Sequence, residues 1–120
     1  MPTPNTNPPV WPMVIEDVGR FGYVGGDEHP GSSTLSLIQA VVRADMAERD
    51  RIGEERYGTR LQAHNGRDSL VDAYQEMLDA CVYFRTALVE RHSEPLQAIY
   101  RQHLLQTLSL RQILLTRDGR

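Results

Sequence analysis

The sequence predicts an all-α fold, a helical hairpin followed by a C-terminal helix, in a bundle completed by oligomerisation. Three observations predict it. Apolar residues recur at three- and four-residue steps in three long segments, no segment alternates with the period of a strand, and turn signals separate the segments at Gly58, Asn65-Gly66 and Pro95. The 120 residues suit one domain with a modest core, and the hydrophobic (40%) and charged (24%) fractions fit an ordinary globular protein. No apolar run approaches the ~20 residues of a membrane span. The N-terminus lacks a basic-then-apolar signal pattern. The single cysteine, Cys81, excludes an internal disulfide and suits a reducing cytoplasm. A formal net charge of −3 argues against a nucleic-acid polymer as partner.

Residues 1–31 read as an N-terminal arm and loop, and residues 32–120 as the helical domain. From Met1 to about Pro12, Pro and Asn predict a flexible arm. The Gly- and Pro-containing stretch after it predicts one short helical turn and then a loop. Helix A starts near Ser32 to Thr34, whose hydroxyls suit a cap, carries Leu35, Ile38, Val41 and Val42 on one stripe, and stops at Gly58 after Tyr57. Helix B takes Asp68 as its N-cap and runs to about Arg91, with Leu70, Tyr74, Met77, Leu78, Cys81, Phe84 and Leu88 on its apolar face. Helix C has Ser93 or Glu94 as cap and Pro95 in its first turn. It continues through Ile99, Leu104 and Leu108 to about Leu115, apolar on more than one side, which predicts burial at a subunit interface.

Helix B also carries Asp72, Glu76, Asp79 and Tyr83 at steps of four, three and four, a line on one side flanked by Ala73, Ala80 and Ala87. Like charges at this spacing repel, and a divalent cation is the simplest compensation. On helix A the apolar stripe turns acidic midway, at Asp45 and Glu48, before Ile52. In an antiparallel hairpin, Glu48 and Glu76 lie at matching depths from the loop, to within a couple of ångström at ~1.5 Å per residue. Asp45 and Asp79 match one turn deeper. Four carboxylates then face one another, a hard-oxygen set suited to Mg²⁺ or Mn²⁺. The other reading is a solvated, charged face. Glu54 and Glu55 read as solvated charge, and Asp72 as either an outer ligand or a salt-bridge partner of Arg51 or Arg56.

The run from about Arg43 to Glu90, with its YG…NGRD…DAYQE…LD pattern, resembles MazG-like nucleotide pyrophosphohydrolases of the phage and bacterial type. E-M-L-D at Glu76 to Asp79 matches the family's E-x-x-D. Asp45-Met-Ala-Glu48 stands where the family has E-x-x-E, with an Asp one methylene shorter. The resemblance implies an all-α homodimer or homotetramer that hydrolyses a nucleoside triphosphate at the α-phosphorus, with Asp45, Glu48, Glu76 and Asp79 on the metal and one free carboxylate as base. It also implies a deoxynucleoside triphosphate substrate, with dGTP suggested by the phage-type branch, and a host-cytoplasm location if the gene is a phage's. The rival expectation is a non-enzymatic helical interaction module.

Arg67, beside Asn65-Gly66 and the start of helix B, is a candidate phosphate ligand. Arg85 is placed to balance the acidic line or touch phosphate, and Arg60 reads as solvent-exposed. Tyr83 and Trp11 are candidates for stacking on a base, Tyr83 also for the core and Trp11 for an interface. All thirteen cationic residues are Arg. Codon bias explains that, and guanidinium forks for phosphate are compatible with it. His29, His64, His92 and His103 lack zinc-site spacing and read as structural or solvated, Cys81 reads as a small buried hydrophobe, and Gly25-Gly26 is too short for a phosphate loop.

Overall fold

The computed structural model describes residues 4–21 and 32–120. They form four helices, α1 (Trp11–Arg20), α2 (Ser32–Tyr57), α3 (Ser69–Glu90) and α4 (Glu94–Asp118). An isolated antiparallel bridge between Pro9 and Gln62 is their only extended pairing. The fold class is therefore all-α, as the periodicity implies. The chain forms two compact units, Met1–Asn65 and Gly66–Arg120. The readings of Gly25-Gly26 and His29 lie outside the described residues.

In the first unit α1 packs along α2. This ten-residue helix replaces the single turn expected, and it begins inside the stretch expected to be an irregular arm. Pro12 sits in the first turn, where its fixed φ favours a helix and its missing N–H costs nothing. Trp11, Val14, Ile15 and Val18 then recur at helical spacing and are partly buried, while Glu16, Asp17 and Arg20 are exposed. Gln39 of α2 finishes the helix: its side-chain amide donates to the carbonyls of Val18 (2.8 Å) and Phe21 (2.6 Å). The preceding residues are pinned rather than loose. Asn5 donates to the Ala63 carbonyl at 2.9 Å, Gln62 donates to the carbonyls of Asn5 and Asn7 at 2.8 and 2.7 Å, and Val10 N–H reaches Leu61 O at 2.8 Å.

The residues of α2 that lose exposure are Gln39, Val42, Met46, Asp50 and Gly53, spaced three, four, four and three. The stripe expected to face the core shares only Val42 with this set. Leu35, Ile38, Val41 and Ile52 are exposed. Polar anchors account for the rotation: Gln39 caps α1, and Asp50, buried, takes the Arg60 guanidinium through Nε and Nη2 at 3.1 and 2.5 Å. Arg60, expected in solvent, is thus partly buried and ties the loop after α2 to the helix. Gly58 ends α2 at φ 74°, a left-handed conformation open to Gly, with its N–H on Glu54 O at 2.8 Å.

In the second unit α3 and α4 form an antiparallel hairpin across three residues. Asp68 caps α3 by accepting from Val71 N, and Ser93 caps α4 by accepting from Leu96 N. Helix α4 runs three residues past the expected end, to Gly119 in the left-handed region. The seam alternates steps of three and four on both sides, with Tyr74, Met77, Cys81, Phe84 and Leu88 against Leu96, Tyr100, His103, Thr107, Leu110 and Leu114. Leu70, Leu78, Ile99 and Leu108, expected on the apolar faces, are exposed. Across the middle of the seam lies a chain of polar contacts. The Thr107 hydroxyl donates to His103 O at 2.7 Å, so the Cys81 thiol, 3.7 Å from that hydroxyl, is the donor there. His103 Nε2 lies 2.7 Å from Met77 O, which fixes the tautomer with the proton on Nε2.

Arg117 closes the open end of the hairpin. It donates to both oxygens of Asp68 (3.0 and 2.7 Å) and to Asp118 (2.7 and 2.9 Å). The Arg117 hydrogen bonds, joined at Asp68 by the Val71 N–H, hold both carboxyls below the usual range. A carboxyl with a lowered folded-state pKa stabilises the fold above its unfolded pKa of about 4, and that contribution is lost as pH falls through the folded value. Wild type is therefore expected to lose melting temperature below about pH 4 more steeply than Arg117→Gln. Parallel acid profiles in a thermal melt would show that the clamp adds nothing.

Candidate functional site

The carboxylates singled out in the sequence occur as two pairs, one on each of two helices in different units. On α2, Asp45 and Glu48 stand three residues apart and both are exposed. Glu48 is engaged. Arg51 donates to its two oxygens from Nε (2.9 Å) and Nη2 (2.6 Å), and from Nη1 to Glu55 at 2.7 Å. The Arg51 hydrogen bond lowers the Glu48 carboxyl below its ordinary range, so it is a carboxylate at neutral pH. Glu54 lies 3.9 Å from Arg60 Nε, a marginal contact.

On α3, Glu76 and Asp79 are also three residues apart and exposed, on the side away from the α4 seam. Among the described residues neither takes part in an ion pair or a side-chain hydrogen bond. Tyr83 continues the line one turn on and is 71% exposed, so it belongs to the solvent side and not to the core. Asp72, at the start of the line, is partly buried and held by Arg67, with Nε to Oδ2 at 2.8 Å and Nη2 to Oδ1 at 3.1 Å. Within its own unit Asp72 thus takes its cation from Arg67, a partner the sequence reading does not name beside Arg51 and Arg56. A phosphate approaching Arg67 meets a guanidinium already forked on a carboxylate. Arg85 is exposed and in no ion pair among the described residues. Trp11 is partly buried at the start of α1.

Within neither unit do three or more His, Cys, Asp or Glu side chains of the described residues gather into a group able to hold a metal ion. Each pair alone is half of the four-carboxylate set. The donors in both halves are carboxylate oxygens, the hard ligands that Mg²⁺ and Mn²⁺ take. Two charged pairs that hold the fold together, Asp50–Arg60 and Asp68–Arg117, are absent from the sequence reading. The first was detectable, since Asp50 lies in step with Val42, Met46 and Gly53. The second joins residues 49 positions apart, with no local signal. No described helix is long and apolar enough to cross a membrane. No family model, curated protein or solved structure matches the chain.

Proposed function

We propose that this chain is a MazG-like, Mg²⁺- or Mn²⁺-dependent pyrophosphohydrolase that converts a nucleoside triphosphate, in the first instance dGTP, to monophosphate and pyrophosphate in the cytoplasm. The observation that carries the reading is the Glu76–Asp79 pair. Two like charges stand one turn apart on an exposed helix face with no cation of the described residues on either, and Tyr83 extends the same line. The resemblance of the surrounding sequence adds the reaction. The resemblance also assigns Asp45 and Glu48 to the metal. A divalent cation bound there would neutralise phosphate charge and lower the pKa of a water. A carboxylate left off the metal takes the proton from the attacking water. The exposed Tyr83 ring offers a face for the base, Arg85 offers a guanidinium for the phosphates, and Arg67 would do so on exchanging its Asp72 carboxylate for phosphate.

A panel of NTPs and dNTPs incubated with the protein and Mg²⁺, read by phosphorus-31 NMR, tests this. Monophosphate with pyrophosphate is expected. Diphosphate with orthophosphate, or nucleoside with triphosphate, would overturn the scissile bond. One observation favours a second reading, a non-enzymatic interaction module: Val82, Val89, Leu105 and Leu108 are each more than 60% exposed. Calorimetric titration with Mn²⁺ separates the two, since only the enzyme reading requires binding that Asp79→Asn weakens.

The same apolar surface supports a homodimer or homotetramer. Leu88 and Leu114 are the only buried hydrophobic residues among those described, a thin core for helices of this length. Light scattering at micromolar concentration is expected to give at least twice the 13.6 kDa chain mass. A monomer would contradict it.

A further inference from the structure

The α3–α4 seam leaves two broad sides of the hairpin, and they differ. Leu78, Val82 and Val89 each come directly after a seam residue of α3, and Leu104, Leu108 and Leu115 each come directly after a seam residue of α4. One residue is a rotation of about 100° at 3.6 residues per turn. In two right-handed helices that run in opposite directions, the same rotation from a shared seam leads to the same side. Both triplets therefore stand on one side of the hairpin, with steps of four and seven residues on each helix. Leu104 is partly buried, and the other five are 43 to 73% exposed. No position directly after a seam residue holds a carboxylate, and Arg85, Arg101 and Arg111 are the charges there. The positions directly before the seam residues form the opposite side, where Glu76, Ala80, Ala87, Gln102 and Gln106 stand.

We propose that the leucine- and valine-bearing side of this hairpin docks against the same side of a second copy of the chain, the two hairpins stacked end for end as a four-helix bundle. The inference rests on the oligomer reading above and names its surface. The six side chains offer on the order of 400 Å² of apolar surface. A stable pairing takes ~800 Å² from each partner, a little over half of it apolar, so this side alone is large enough. A layer two helices wide fits another layer of the same width, and a two-fold interface fills both halves with the same residues. Arg85 and Arg101 lie toward the closed end of the hairpin. End-for-end stacking keeps them away from their copies, and their stems can lie along the leucines while the guanidinium groups reach water. Glu76 stands on the opposite side, so the pairing brings no carboxylates of the acidic line together.

Sedimentation equilibrium on the full chain reads the pairing without any substrate. Val82→Glu and Leu108→Glu each place a charge in the middle of the proposed surface, one from each helix. Ile113→Glu places the same charge on the opposite side, at a residue that is 55% exposed. The first two are expected to raise the dissociation constant at least about 100-fold, because each substitution counts twice in a two-fold interface. Ile113→Glu should stay within about threefold of wild type. Leu108→Ser, expected to raise the constant at least about tenfold, replaces a glutamate variant whose circular dichroism shows lost helix. Tetramers cut to dimers by Val82→Glu and Leu108→Glu would support the surface equally. An assembled wild type indifferent to both changes, or equally sensitive to Ile113→Glu, would overturn this surface and leave the oligomer reading standing. A monomeric wild type would overturn that reading, and the surface with it.

Discussion

Under the proposed metal-dependent hydrolysis, Glu76→Gln or Asp79→Asn is expected to lower kcat by at least about 100-fold, the loss that would follow if a ligand to a charge-stabilising metal were neutralised. The fold should not suffer. Both side chains are exposed, neither holds another described residue by an ion pair or side-chain hydrogen bond, and the amides are nearly isosteric with the acids. Removing one of two like charges three residues apart relieves repulsion along α3. The variants should therefore melt at or above the wild-type temperature without metal, and gain less from added Mg²⁺. Steady-state kinetics beside circular-dichroism melts make the check. Retained kcat, or loss of activity that tracks loss of helix, would remove these residues from the site.

The second large effect is structural. Leu88 is 6% exposed and Leu114 4%, and together they are the buried apolar pair of the α3–α4 hairpin. Leu88→Ala is expected to cost about 2–4 kcal/mol in urea unfolding, from lost transfer energy and the cavity left behind. Leu105, 66% exposed, provides the contrast. In an isolated chain Leu105→Ala should stay within about 0.5 kcal/mol of wild type. In an assembly that buries this face it should make stability more dependent on protein concentration. A mild Leu88→Ala phenotype would mean that the seam carries little of the stability.

Helix ends were legible in the sequence where a single residue does the work. Asp68, Ser93 and Gly58 cap or stop helices by local hydrogen bonds or by a left-handed φ, and such chemistry depends on few neighbours. The facing stripe of α3 was legible because Tyr74, Met77, Cys81, Phe84 and Leu88 repeat without interruption. Helix α1 was not, since Pro12 marks a helix start as readily as an irregular arm, and its amphipathic run is short. The packed side of α2 was misplaced because polar residues choose it: Gln39 and Asp50 are satisfied by α1 and by Arg60, partners a hydropathy pattern does not register. In the candidate site, that Glu76, Asp79 and Tyr83 share one side of α3 followed from spacing, while their exposure to solvent did not. The guanidinium contacts did not, since Arg51, Arg60 and Arg67 each have several acids within reach and the geometry selects among them.

The polar contacts crossing the α3–α4 seam also determine which sliding positions of the hairpin are tolerated. A regular three–four apolar repeat lets two helices slip by seven residues and find leucines opposite apolar groups again. Moving α4 by seven would bring Tyr100 to the place of Thr107 and Leu96 to that of His103. The Cys81 thiol would lose its acceptor and Met77 O the imidazole N–H. Only one alignment satisfies these groups, so a seam held mostly by interchangeable side chains closes in one position. Thr107, 8% exposed beside the leucines, is the notch that sets it.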